Sequence, residues 1–132
     1  MNNNQKVEYW RTLTARERKT AQIMYDAEMY DMMITHCCQA VEKAIKAYTA
    51  HKNITPLPIH ELERLASKTD LWDNMSKEQR QQLQGLEPYY TIARYPKDID
   101  DILRLLNKDN SAELLNITTE LTTWIFGQIK NQ

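Results

Sequence analysis

The segment from Tyr30 to Tyr48 constrains this chain more than any other. Tyr30, Met33, Ile34, Cys37, Cys38, Val41, Ala44, Ile45 and Tyr48 recur at the three-and-four spacing that lines apolar side chains along one face of an α-helix. Gln39, Glu42, Lys43 and Lys46 lie on the opposite side, themselves at helical spacing, and read as a polar ladder. Turn vocabulary for any sheet is scarce, because Gly85 and Gly127 are the only glycines. Abundant Glu, Lys, Gln, Leu and Ala favour helix throughout.

The remaining segments follow the same logic. A first helix is predicted from Val7 or Trp10 to Ala27, with Trp10, Leu13, Ala21 and Met24 on one stripe. Glu17 falls inside that stripe, so its carboxylate needs a hydrogen-bonding or charged partner. The second helix should end near His51-Lys52-Asn53. Pro56 and Pro58 then make residues 54–59 a stiff linker, since each proline pushes the preceding residue toward extended geometry. A short third helix is expected from His60 or Glu61 to about Lys68, with Leu62 and Leu65 inward. Ser76 and Gln79 have capping-box spacing and open a fourth helix containing Leu83 and Leu86. Pro88 implies a kink or a restart in it, and Pro96 places Arg94 near its end. A helical turn around Ile99 to Leu106 leads to a final helix from about Ser111 to Lys130.

Long helices and short connections predict an all-α, up-and-down antiparallel helical bundle of four main helices plus a short fifth helix. A chain of 132 residues makes one domain over 1–132, with residues 1–6 expected to be flexible. Seventeen basic and eighteen acidic residues leave a net charge of −1, so no global field draws the protein to nucleic acid or membrane. The polar amino terminus and the lack of a long apolar run give the expectation of a cytoplasmic protein. Cys37 and Cys38 are adjacent, point about 100° apart on a helix and read as reduced core thiols. Together with His36 they cannot converge on one tetrahedral ion, so no metal site is expected.

Arg94 stands out among the candidates for binding. A guanidinium at a helix end beside tyrosines can grip a phosphate bidentately or stack on a base. The plainer reading is a helix cap or an ion pair with Glu17. Lys43 can meet a phosphate, whereas Glu42 and Lys46 read as an i,i+4 pair on a solvated face. His60, at the start of the third helix, reads first as a structural donor or acceptor whose titration near neutrality would also suit a ligand. His36 reads as a satisfied helix histidine.

The order of these signals resembles the HEPN family. It comprises a Trp-led first helix, Tyr30-Asp31, Gln39-Ala40-x-Glu42-Lys43-x-x-Lys46-Ala47, a proline-bearing linker into His60-x-Leu62-x-x-Leu65, and Tyr90-x-x-x-Arg94-Tyr95-Pro96. The resemblance spans roughly Trp10 to Ile129. It implies a bundle of four to five helices, frequent homodimers, nucleotide (ATP or GTP class) or RNA ligands, and pairing with minimal nucleotidyltransferases in toxin–antitoxin modules. The ribonuclease branch carries an Arg-x(4-6)-His motif. Here none of His36, His51 and His60 lies at that distance after an arginine, and Arg94-Tyr95-Pro96 is the version found in the nucleotidyltransferase-associated branch. The resemblance therefore implies a binding module without catalysis of its own or cofactor. Arg94, Tyr95, His60 and Lys43 would face the ligand, supported by Glu17, Gln39 and Tyr90. The rival expectations are a ribonuclease toxin using a non-standard set such as Arg94 with His60, and a structural dimer with a decayed site.

Overall fold

The computed structural model describes residues 1–92 and 99–129, and every element among them is a helix. Their order is α1 (Asn3–Asp26), α2 (Tyr30–His51), α3 (Leu62–Ala66), α4 (Leu71–Asn74), α5 (Lys77–Ile92), α6 (Ile99–Leu105) and α7 (Lys108–Gln128). Helices α1, α2, α5 and α7 are the four main members of the expected all-α bundle. Three short helices accompany them instead of one. None of the described helices is long and apolar enough to cross a membrane.

Capping chemistry sets several boundaries. α1 starts ahead of the expected Val7 because Asn2 and Gln5 form a reciprocal capping box: the Asn2 side chain accepts from the Gln5 N–H at 2.8 Å, and Gln5 accepts from the Asn2 N–H at 2.9 Å. Residues 3–6, expected to be flexible, thus lie within its first turns. Asn107 and Asn110 repeat the device and start α7 ahead of the expected Ser111. The capping box read at Ser76 and Gln79 is present, with bonds of 3.1 and 2.8 Å.

Scarce glycine does not prevent sharp helix ends. Glu28 and Asn53 both adopt φ of 60°. After α1, the Glu28 N–H donates to the Tyr25 carbonyl and the Met29 N–H to Met24. After α2, Asn53 donates to Ala50 and Ile54 to Thr49. Both sets are the paired bonds of a Schellman turn, which requires one left-handed residue. Asn tolerates that geometry well, whereas Glu carries a steric penalty there.

α2 is the core of the molecule and is buried nearly all round. Met33, Ile34, Cys37, Cys38, Val41, Ala44 and Ile45 form the predicted apolar face, yet Ala40, Glu42, Ala47 and Ala50 are buried too. The solvated face expected for Glu42 is therefore a correction: other helices cover it. α1 runs antiparallel to α2, with Trp10 beside Lys46 and Glu17 beside His36 and Lys43. It is also antiparallel to α7, since Arg11 stacks on Phe126 while Tyr25 reaches Lys108. The deepest line of α1 is Val7, Thr14 and Ala21, while the expected stripe of Trp10, Leu13 and Met24 is half-buried.

Residues 54–59 are free of helix, as their prolines dictate. Their path returns the chain to α2, where Leu62 and Leu65 enter the core. α3 is shorter than expected, and the unpredicted α4 is latched to the end of α2. There the buried Tyr48 hydroxyl donates to Asp70 at 2.6 Å, and Lys52 lies 3.6 Å from the same carboxylate. The Tyr48 bond holds the Asp70 carboxyl below its ordinary range, and burial pushes the Tyr48 phenol up. α5 continues through Pro88 without a restart. The proline deprives the Gln84 carbonyl of a donor, but Gln84, Gly85 and Pro88 all face solvent, so that carbonyl stays hydratable.

Both cysteines are buried, and neither forms a disulfide among the described residues. Burial pushes the Cys37 thiol up to about 11. The fold makes one sharp demand at Glu28, and relieving it should stabilise the protein. Glu28→Gly is expected to raise unfolding stability by about 0.5–1 kcal/mol in urea titrations, with an unchanged denaturant slope.

Candidate functional site

Two carboxylates organise the polar side chains around α2, in neighbouring clusters on its surface. Glu42 is the deeper, with its side chain 6% exposed. Its Oε1 accepts from the Tyr90 hydroxyl on α5 at 2.9 Å and lies 2.7 Å from His60 Nδ1, just ahead of α3. Oε2 accepts from Lys46 Nζ at 3.3 Å, which is the predicted i,i+4 pair. Three partners from three parts of the chain therefore converge on one buried group. That number matters, because a buried carboxylate is tolerated only when its lone pairs are well satisfied.

His60 differs from Glu42 in its exposure. Its side chain is 52% exposed while Nδ1 is held on the carboxylate, and its ring stands edge-on to Tyr90 at 6.2 Å and 81°. A buried acceptor and an aromatic wall thus orient an imidazole that solvent can reach. Such a ring can bind a ligand or move a proton.

Glu17 anchors the second cluster. Lys43 Nζ donates to its Oε1 at 2.5 Å, and His36 Nδ1 lies 2.6 Å from Oε2. The Gln39 amide, in the orientation that satisfies both of its polar atoms, adds donations at 3.0 and 3.1 Å. The stripe position of Glu17 thus has the partners its burial demands, and His36 is satisfied as expected. Burial alone would raise the Glu17 carboxyl, but the hydrogen bonds and charges of His36 and Lys43 outweigh it and hold the group below its usual range.

The proposed site residues divide between these clusters. Lys43, Gln39 and Glu17 meet on the α1 side of α2, while His60 and Tyr90 meet at Glu42. Lys43 and His60 share no partner among the described residues. Arg94 and Tyr95 lie outside the described residues. Sequence reasoning missed Glu42, which had looked like an ordinary surface pair. Ala40, Ala44, Ala47 and Ala50 carried the signal for it, because small side chains on several faces of one helix invite close approach by its neighbours. Glu87 is a further tie between helices: it accepts from the Glu63 N–H at 3.2 Å, and burial pushes its carboxyl up. Among the described residues no three of His, Cys, Asp and Glu are grouped so as to hold a metal ion.

Comparison with known proteins agrees with this architecture. The family model described as the HEPN domain matches residues 7–130. A crystal structure of an archaeal HEPN homologue superposes with a TM-score of 0.74 at 22% identity, covering 94% of this chain and 98% of that one. No curated protein matches the sequence.

The Glu17 cluster gives an acid-sensitive contribution to stability. Its carboxyl is lowered in the folded state, so the stabilisation is complete above the ordinary value of 4.5 and is lost as pH falls through the lower folded value. Glu17→Gln should cost about 2 kcal/mol at neutral pH. The difference from the unsubstituted protein should shrink below pH 4.5, as read from urea midpoints across the acid range.

Proposed function

Because this chain belongs to the HEPN family, we propose that it is a binding module without catalysis of its own. It takes a nucleotide of the ATP or GTP class, or serves as the helical partner of a minimal nucleotidyltransferase, and acts as a homodimer. The observation that carries this reading is the half-exposed His60 imidazole, fixed by the buried Glu42 carboxylate and flanked by Tyr90. In the chain, Tyr90 leads directly to Arg94-Tyr95-Pro96. Arg94 supplies the phosphate-gripping guanidinium, His60 a polar contact and Tyr95 an aromatic one. Glu42 and Tyr90 position His60, while Lys43, held by Glu17, contributes positive charge from the neighbouring cluster.

One observation favours a second reading. A carboxylate on Nδ1 is also how an imidazole is oriented for acid–base chemistry, and with Arg94 it would supply the two groups that RNA cleavage uses. The missing Arg-x(4-6)-His motif weighs against this ribonuclease assignment.

Calorimetry with ATP and GTP tests the binding module. Arg94→Ala and His60→Ala should each weaken binding at least about tenfold; Arg94→Ala should leave the thermal melt nearly unchanged, whereas His60→Ala removes a partner of the buried Glu42 carboxylate and should lower the melt as well. Normal affinity in both variants contradicts the assignment. Incubation with total RNA should leave it intact, and cleavage that depends on Arg94 and His60 would transfer the site to the ribonuclease reading.

A further inference from the structure

The large apolar side chains that the described fold leaves in solvent gather at its two ends. Met1, Tyr9 and Ile54 lie where the start of α1 meets the linker after α2. The other end exposes more. Ile23, Met29 and Met32 at the α1–α2 corner, and Leu103 and Leu105 leading into the α6–α7 corner, are each between 39% and 58% exposed. These two corners meet. The Tyr25 hydroxyl donates to the Lys108 carbonyl at 3.3 Å, α6 packs on α2 with Leu106 in the core, and the Asn110 side chain holds the Leu105 carbonyl at 2.7 Å. Met29 and Met32 stand one helical turn apart, and unbranched thioethers adapt readily to the shape of an apolar partner.

Carboxylates surround these side chains with few cations to balance them. No lysine or arginine occurs between Lys19 and Lys43, so Asp26, Glu28 and Asp31 give the α1–α2 corner charge of one sign. The α6–α7 corner adds Asp100, Asp101 and Asp109 against Arg104 and Lys108, and Arg104 is already paired with Asp101 at 3.2 Å. Glu28, Asp31 and Asp109 have no ion pair among the described residues. Glu28 and Asp109 converge from the two corners on Tyr30, whose phenol is raised by burial and by both of their charges. Glu28 also carries a backbone cost. It holds φ at 60°, the geometry that Asn53 supplies at the matching turn after α2, yet it is exposed and makes no ion pair in return. A residue that breaks a local preference without a compensating contact points to a task outside the fold.

We propose that this end of the bundle docks a cationic amphipathic helix of a protein partner, its apolar stripe on Met29, Met32 and Leu105 and its lysines or arginines on Glu28, Asp31 and Asp109. A helix laid on an apolar surface anchors through side chains at helical spacing, and complementary rim charges fix its register. Nucleic acid and anionic membrane carry the wrong sign for this rim. A second copy seated end to end would set acidic rim against acidic rim. Neither His60 nor Lys43 takes part.

The probe is a synthetic leucine–lysine peptide of about four helical turns with its leucines at helical spacing, and the comparison is a peptide of the same composition in strict alternation. In two-dimensional amide NMR of the full chain, the helical peptide should give saturable shifts of the Met29, Met32 and Leu105 amides. The alternating peptide should bind at least about tenfold more weakly. Met29→Gln combined with Leu105→Gln should weaken the helical peptide at least about tenfold, whereas Tyr9→Gln, at the opposite end, should leave it unchanged. Glu28→Gly separates docking from packing, because it should stabilise the fold yet weaken the peptide about threefold. The proposal is overturned if these amides do not move, if both peptides bind alike, if Tyr9→Gln weakens binding as much as the double substitution, or if Glu28→Gly binds as tightly as the unsubstituted protein. Sedimentation velocity addresses the remaining occupant: an oligomer that dissociates on the Met29→Gln and Leu105→Gln double substitution assigns this end to a second copy and likewise overturns it.

Discussion

The buried Glu42 carboxylate is the constraint on which the rest of the structure leans. Burying it is unfavourable unless donors surround it, and its partners come from α2 itself, from the residue after the proline linker and from the far end of α5. Packing of apolar side chains can be satisfied by many small adjustments, whereas a buried carboxylate accepts few arrangements. Glu42 therefore fixes where the linker must return and how far α5 must reach. It also decides which imidazole is presented to solvent.

Glu17 plays the corresponding role between α1 and α2. Lys43 and Gln39 sit one helical turn apart and His36 a turn further down, so one carboxylate from α1 engages three consecutive steps of the ladder. This fixes the rotation of α1 against α2.

How much of this was legible in the sequence depended on how local its cause was. The register of α2, the inward leucines of α3 and α5, and the Ser76 box follow from neighbours within a few residues, and each could be read directly. The anomaly of Glu17 was also visible, because a carboxylate in an apolar stripe must find a partner. Glu42 was not, since what buries it arrives from His60 and Tyr90, distant in sequence. The Asn2–Gln5 and Asn107–Asn110 boxes were readable in principle but use Asn where Ser or Thr is the more familiar signal. At Pro88 the expectation was a kink or a restart, and α5 shows no restart: a proline whose orphaned carbonyl faces solvent need not end a helix. The HEPN signature lies in the order of residues rather than in their geometry, so it is legible without any partner of Glu42.

The claim that Glu42 orients His60 has a direct spectroscopic test. In long-range ¹H–¹⁵N spectra above the titration of the ring, a hydrogen bond to Glu42 Oε1 requires neutral His60 to carry its proton on Nδ1. The account predicts that tautomer in the unsubstituted protein and its loss in Glu42→Leu, whose side chain accepts no hydrogen bond. A neutral His60 protonated on Nε2, with the same spectrum in both proteins, would contradict it.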